Sequence, residues 1–186
     1  MNNKKKGTAA CIVSFIVIAV FVLQVNASTY NLNVTKYSQE KSNWCWAACA
    51  KMVGKYYGYN LSQSAICIYV KGSAVNEAAS LSEVTKAIGY ASKKIISQAG
   101  IAQSQAFSIN IKANKPCVLR IGWNSGGGHV YVISGIQEGV PFDDTYLYMI
   151  DPISGNSSGY YAYSSLVNGT TLKAGTGKYT HTWWVS

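Results

Sequence analysis

Cys45 stands in the run Gln39-Glu40-Lys41-Ser42-Asn43-Trp44-Cys45-Trp46-Ala47-Ala48-Cys49. Cys45, Cys49, Met52, Val53 and Tyr56 recur at helical spacing, and Gly58 supplies a stop, so a helix is expected to begin at Cys45. The first turn of a helix has unpaired amide N–H groups that favour negative charge, and a cysteine there is stabilised as its thiolate. A thiolate is a nucleophile, and the same N–H groups suit the oxyanion of an attacked carbonyl. Gln39, six residues upstream, carries a side-chain amide that would serve as a second oxyanion donor. The plainer alternative for Cys45 is a structural or bridged cysteine.

A thiolate needs a general base, and the chain has two histidines. His129 follows Gly126-Gly127-Gly128 and opens an apolar, β-branched run, where missing side chains would let a substrate backbone approach. His181 lies inside a strand pattern beside Thr180, Thr182 and Trp183, with no glycine-opened approach. His129 is therefore the preferred base. Asp151, which ends the run Thr145–Asp151 before Pro152, is placed to accept from the imidazole. A turn-capping Asp is the alternative there, and Asp143 and Asp144 are rivals in a hairpin turn. Trp46, Trp123, Gly127 and Gly128 are the candidate substrate-binding residues.

These residues together resemble the papain-like cysteine peptidases, in particular their compact bacterial branch, C39-like or AvrRpt2-like. The run Asn43-Trp44-Cys45-Trp46-Ala47-Ala48 is the most specific piece, with Gly127-Gly128-His129-Val130 and Asp151-Pro152 completing it. The resemblance implies Cys45 as nucleophile, His129 as general base, Asp151 as orienting acid and Gln39 as oxyanion donor. It also implies a protein or peptide substrate, no cofactor and no metal. Its fold would be papain-like and α+β: an N-terminal helical part, with the nucleophile helix, packed on a C-terminal antiparallel sheet. Only the Cys-Trp pair is shared with the papain signature, and Asp151 stands where papain-type enzymes use Asn. The interval from Cys45 to His129 is 84 residues, against roughly 130–150 in papain and the cathepsins. Cys49 and Cys67 are then left to pair, a bridge worth roughly 3 kcal/mol by loop entropy. Cys117, in an apolar strand, is expected to be a buried free thiol.

The elements that must position these residues follow from local patterns. Ser62 caps a second helix, Leu61–Val70, ended by Gly72, and Ser80-Leu81-Ser82-Glu83 is a capping box opening a third helix toward Ile88, closed by Gly89. Residues 93–113 are ambiguous, with a helix expected around Ala106–Ala113. From Cys117 the period changes: Cys117–Trp123, His129–Ile136, Thr145–Asp151 and Lys178–Val185 read as strands, separated by turns at Asn124–Gly128 and Gly155–Gly159. Helices first and strands after indicate α+β rather than a doubly wound sheet.

The N-terminus reads as an export signal. Lys4–Lys6 precede the apolar run Ala9–Leu23, broken only by Ser14, and Val25-Asn26-Ala27 offers a cleavage site after Ala27. Residues 1–27 are thus expected to be a secretory signal and 28–186 the peptidase domain, with no stable membrane anchor after cleavage. The product is expected outside the cell as a monomer. An uncleaved anchor is the alternative. Loss of Lys4–Lys6 lowers the net charge from +9 to +6, which suits contact with an anionic cell wall. Nucleic acid fits less well, since Arg120 is the one arginine and no dense basic run survives. Two rival functions use the same residues: a peptidoglycan amidase or endopeptidase, and a non-catalytic binding module with a papain-like shell. Asn26, Asn33, Asn60, Asn156 and Asn168 open Asn-X-Ser/Thr sequons, which matter only in a eukaryotic secretory path.

Overall fold

A computed structural model describes residues 27–139 and 144–186. The expected signal segment lies almost wholly outside the described residues, as does Asp143. The order of elements is β1 (Ser28–Asn31), α1 (Cys45–Tyr56), α2 (Gln63–Lys71), α3 (Leu81–Ser92), β2 (Ile96–Ala99), α4 (Ser104–Lys112), β3 (Cys117–Trp123) and β4 (Gly128–Glu138). After them come β5 (Tyr146–Ile150), β6 (Gly159–Ala162), α5 (Tyr163–Asn168), β7 (Thr170–Leu172) and β8 (Gly175–Val185).

Local signals set most helix ends. The Ser62 side chain accepts from Ala65 N at the start of α2, and Gly72 ends it in the left-handed region. Ser80 and Glu83 form a complete capping box on α3. The expected stop at Gly89 does not occur: α3 runs to Ser92, and Lys93 takes the left-handed cap at φ 58°. Burial of Ala91 and Ser92 in the extra turn outweighs the helix cost of Gly89. The ambiguous stretch resolves into β2 followed by α4.

The strands form one antiparallel sheet in the order β2-β8-β3-β4-β5-β6, with β1 paired to β4 and β7 to β8. The two-residue period of β3 divides the core. Val118 joins Val130, Val132, Ile150, Trp183 and Val185 beneath α1, α2 and α3. Leu119 and Ile121 point the other way, toward Phe107 and Ile111 of α4 and Leu166 of α5. The sheet is thus covered on both faces, and the architecture is α+β. The β3–β8 pairing slips between Arg120 and Ile121, because Arg120 faces His181 while Ile121 faces Tyr179. Thr180 is the extra residue of this bulge, close to the end of the sheet where β3 turns into β4.

Candidate active site

The start of α1 is held from outside the helix. Trp44 occupies the N-cap position, but no side chain caps the helix and no acid lies in its first turn. The leading N–H groups beside Cys45 therefore stay uncapped. The residues flanking Cys45 are stitched to one short segment. Trp44 Nε1 donates to Val75 O at 2.7 Å, and Trp46 Nε1 donates to Glu77 O at 3.1 Å. Asn43 N and Nδ2 donate to Oδ1 and O of Asn76, both at 3.0 Å. The side chains of the Asn-Trp-Cys-Trp run other than cysteine thus act as clamps, and Cys45 is left half-buried with a free thiol.

His129 opens β4 after a turn that only glycines suit, with φ +93° at Gly126 and +74° at Gly127. It is buried, as is Asp151 one residue past β5. His129 Nε2 and Asp151 Oδ1 are 2.9 Å apart. The Cys45 sulfur lies near enough to the same ring to raise its pKa. Since Nε2 is taken by Asp151, Nδ1 is the nitrogen left to serve Cys45. The ring lies nearly parallel to Trp123, with centroids 6.3 Å apart, and is edge-on to Tyr131 at 4.7 Å.

The charges at the site follow from these contacts. Burial alone would lower the His129 pKa, but hydrogen bonds from Asp151 and Cys45, and the charges behind them, raise it from 6.5 to about 9. Asp151 is also penalised by burial, which pushes its pKa up. Its hydrogen bonds to His129, Ile153 N and Asn156 more than offset that and hold it below the ordinary carboxylate range. Ile153 N donates to Asp151 Oδ1 at 2.9 Å, and Asn156 Nδ2 donates to Oδ2 at 2.8 Å. Both carboxylate oxygens are therefore satisfied. Asn156, read from sequence only as a sequon, is buried instead against Asp151. Its signal was the short Pro-Ile-Ser-Gly connection that folds it back onto the acid.

Gln39 is tied to the same centre through its backbone, N donating to Pro152 O at 2.7 Å. Its side-chain Nε2 donates to Lys41 O at 3.0 Å and Ser42 O at 2.7 Å, while Oε1 is buried without a partner. Trp46 is buried and, with Cys45 and Gly128, lines a cavity of about 40 Å³. His181, the rival base, lies on β8 opposite Arg120, with its pKa lowered by burial and by the Arg120 charge. Asp144, the rival acid, accepts from Ser164 rather than from His129.

The expected Cys49–Cys67 bridge is not formed. All four described cysteines are free. Cys49 Sγ donates to Val130 O at 3.3 Å, toward the sheet, whereas Cys67 Sγ turns to Ser73 O and Val75 O, both at 3.4 Å. The two thiols thus serve different backbone carbonyls. Cys117 is buried and free. Among the described residues no group of three or more His, Cys, Asp and Glu could hold a metal ion, and no helix is long and apolar enough to cross a membrane.

The family model for the papain-like cysteine protease AvrRpt2 matches residues 26–167, more than half of the chain. The chain belongs to that family. It is a cysteine-type peptidase, a hydrolase. Solved structures agree on the fold. A C39-like peptidase from Bacillus anthracis superposes with a TM-score of 0.58 at 12% identity, covering 86% of this chain and 98% of that one. The peptidase domain of Streptococcus ComA, a bifunctional ABC transporter of a quorum-sensing pathway, gives 0.53 at 14% identity, covering 84% and 99%. UfSP from C. elegans gives 0.54 at 11% identity, covering 90% of the peptidase and 35% of that chain. No curated protein sequence matches significantly.

Proposed function

We propose that the peptidase hydrolyses peptide bonds outside the cell with Cys45 as nucleophile, His129 as general acid and base, Asp151 as orienting acid and Gln39 as an oxyanion donor. The observation that carries this reading is the buried His129–Asp151 pair beside Cys45: Asp151 Oδ1 lies 2.9 Å from Nε2, and the Cys45 sulfur is near enough to the same ring to raise its pKa. A His129 pKa near 9 keeps the ring protonated at neutral pH, the state that can give a proton to the leaving amine.

The Cys45 sulfur attacks the scissile carbonyl carbon, and the carbonyl π pair moves to oxygen. The uncapped N–H groups at the start of α1 face that oxyanion, and one Gln39 amide hydrogen joins them by leaving a loop carbonyl. His129 gives its proton to the amine as the C–N bond breaks, leaving a thioester on Cys45. The neutral ring then takes a proton from water, whose oxygen attacks the thioester. Collapse releases the carboxylic acid, and the thiolate and imidazolium are restored. Asp151 keeps its charge throughout and steadies the imidazolium.

Cys45→Ala is the direct test. Cleavage of casein and of a mixed peptide library should vanish while the circular dichroism spectrum is retained. A variant still cleaving at the wild-type rate would overturn the assignment. Export is tested by the N-terminus of the secreted protein, expected at Ser28, where β1 also begins.

A further inference from the structure

Arg120 is the one arginine of the chain, and its position has no role in the chemistry above. From β3 it lines the cavity of about 40 Å³ that includes Cys45, and it is the only charged residue lining that space. The other walls are apolar: Trp46 from α1, Ala78 and Ala79 from the clamped segment, Leu81 and Val84 from α3, and Val130 from β4.

The guanidinium sits in a prepared seat. Gly122 and Gly128 face each other across the β3–β4 pair. A Cβ on Gly122 would lie 2.8 Å from Arg120 Nη1, and one on Gly128 would lie 2.7 Å from its guanidinium carbon. The Thr180 bulge supplies the second support, as Nη1 donates to Thr180 Oγ1 at 2.9 Å and Nη2 donates to Gly127 O. Two of the five N–H donors that a guanidinium carries are thereby engaged. Among the described residues no carboxylate forms an ion pair with Arg120. An unneutralised cation in an apolar-walled cavity, with donors to spare, calls for an anion.

We propose that Arg120 is a specificity-determining residue, and that the cavity beside Cys45 receives an aspartate or glutamate side chain of the peptide substrate. The proposal rests on Cys45 being the nucleophile, since that places the cavity next to the scissile bond. The small volume favours aspartate. A neutral isostere would leave the guanidinium without a counter-charge among the apolar walls of the cavity, a mismatch that discriminates between substrates. A purely structural Arg120, pinning the turn that carries His129, would instead affect all substrates alike.

Mass spectrometry of a peptide library cut by the wild-type protein reads the preference without any variant. Cleavage sites should be enriched in Asp or Glu at one fixed position beside the scissile bond. In a matched peptide pair, Asp→Asn at that position should lower kcat/KM by about tenfold or more. Arg120→Gln should bring the two kcat/KM values together, and Arg120→Lys should keep part of the difference. Cys45-dependent cleavage with no acidic enrichment would overturn the proposal and leave the catalytic assignment standing. So would an Arg120→Gln variant that slows both peptides equally and keeps their ratio. Failure of the wild-type protein to cut any peptide, or cutting by Cys45→Ala, would remove the catalytic assignment and the proposal with it.

Discussion

Asn156 Nδ2 donates to Asp151 Oδ2 at 2.8 Å, which leaves Oδ1 to His129 and Ile153 N. Lys36 Nζ in turn donates to Asn156 O. The acid of the site is thus fixed by a side chain five residues away, and its two oxygens have separate tasks. Asn156→Ala removes a bond to a buried carboxylate, a loss of about 1–3 kcal/mol in stability. It should also lower kcat/KM by roughly tenfold, since the imidazole is then less firmly held. Asn156→Asp sets a second carboxylate against Asp151 and should cost more. A shift of the alkaline limb in the pH–rate profile would mark an effect on the His129–Asp151 pair, which loss of stability alone would not move.

The pH dependence follows from His129. Its pKa is raised from 6.5 to about 9, so its ionic pairing is complete below pH 6.5 and is lost as pH rises through about 9. Activity that needs the imidazolium should therefore fall on an alkaline limb near pH 9. Asp151→Asn keeps an acceptor for the ring but removes the charge by which Asp151 raises that pKa, so the limb should move to lower pH. Rate profiles of the two proteins on one peptide measure the shift. An unmoved limb would assign it to another group.

Gln39 has its own signature. Its amide donates to the Lys41 and Ser42 carbonyls, and its backbone is anchored to Pro152 O. An oxyanion donor acts on the transition state, so Gln39→Ala should lower kcat by about 10²–10³ with little change in KM. A rise in KM with kcat preserved would make Gln39 a ground-state contact instead.

The thiols separate cleanly. Cys49, Cys67 and Cys117 are buried and free, and Cys45 is half-exposed. Burial raises the pKa of each of the three, Cys49 being raised further by Cys45 and Asp151. Under native conditions an alkylating reagent should therefore label a single thiol among the described residues, that of Cys45. The melting temperature should be the same with and without reductant. A reductant-dependent melting temperature would mean a bridge, which the separate carbonyl partners of Cys49 and Cys67 oppose.

What could be read in the sequence was what local chemistry controls. The start of α1 at Cys45, the Ser62 cap, the Ser80–Glu83 box and the strands around His129 and Asp151 all follow from residue type and spacing. The short strands β1, β2, β6 and β7 carry no such signal, because they exist only through pairing with β4, β5 and β8. The same applies at the site. Cys45, His129 and Asp151 announce themselves by type and setting, whereas Asn156 and Arg120 gain meaning from what lies beside them. Arg120 depends on a glycine pair across two strands and a bulge at Thr180, neither visible along the chain. The misjudged bridge has a related cause: helical spacing put Cys49 and Cys67 on neighbouring helices but said nothing of the carbonyls that each thiol faces.

The central claim is that the Cys45 sulfur is the nucleophile, activated by His129. Peptide mapping after treatment with an epoxide thiol inhibitor tests it most directly, with the wild-type protein and His129→Ala side by side. One adduct, on Cys45, forming in step with loss of peptidase activity and far more slowly in His129→Ala, is the predicted result. An adduct on another residue, or full activity with Cys45 modified, would contradict it.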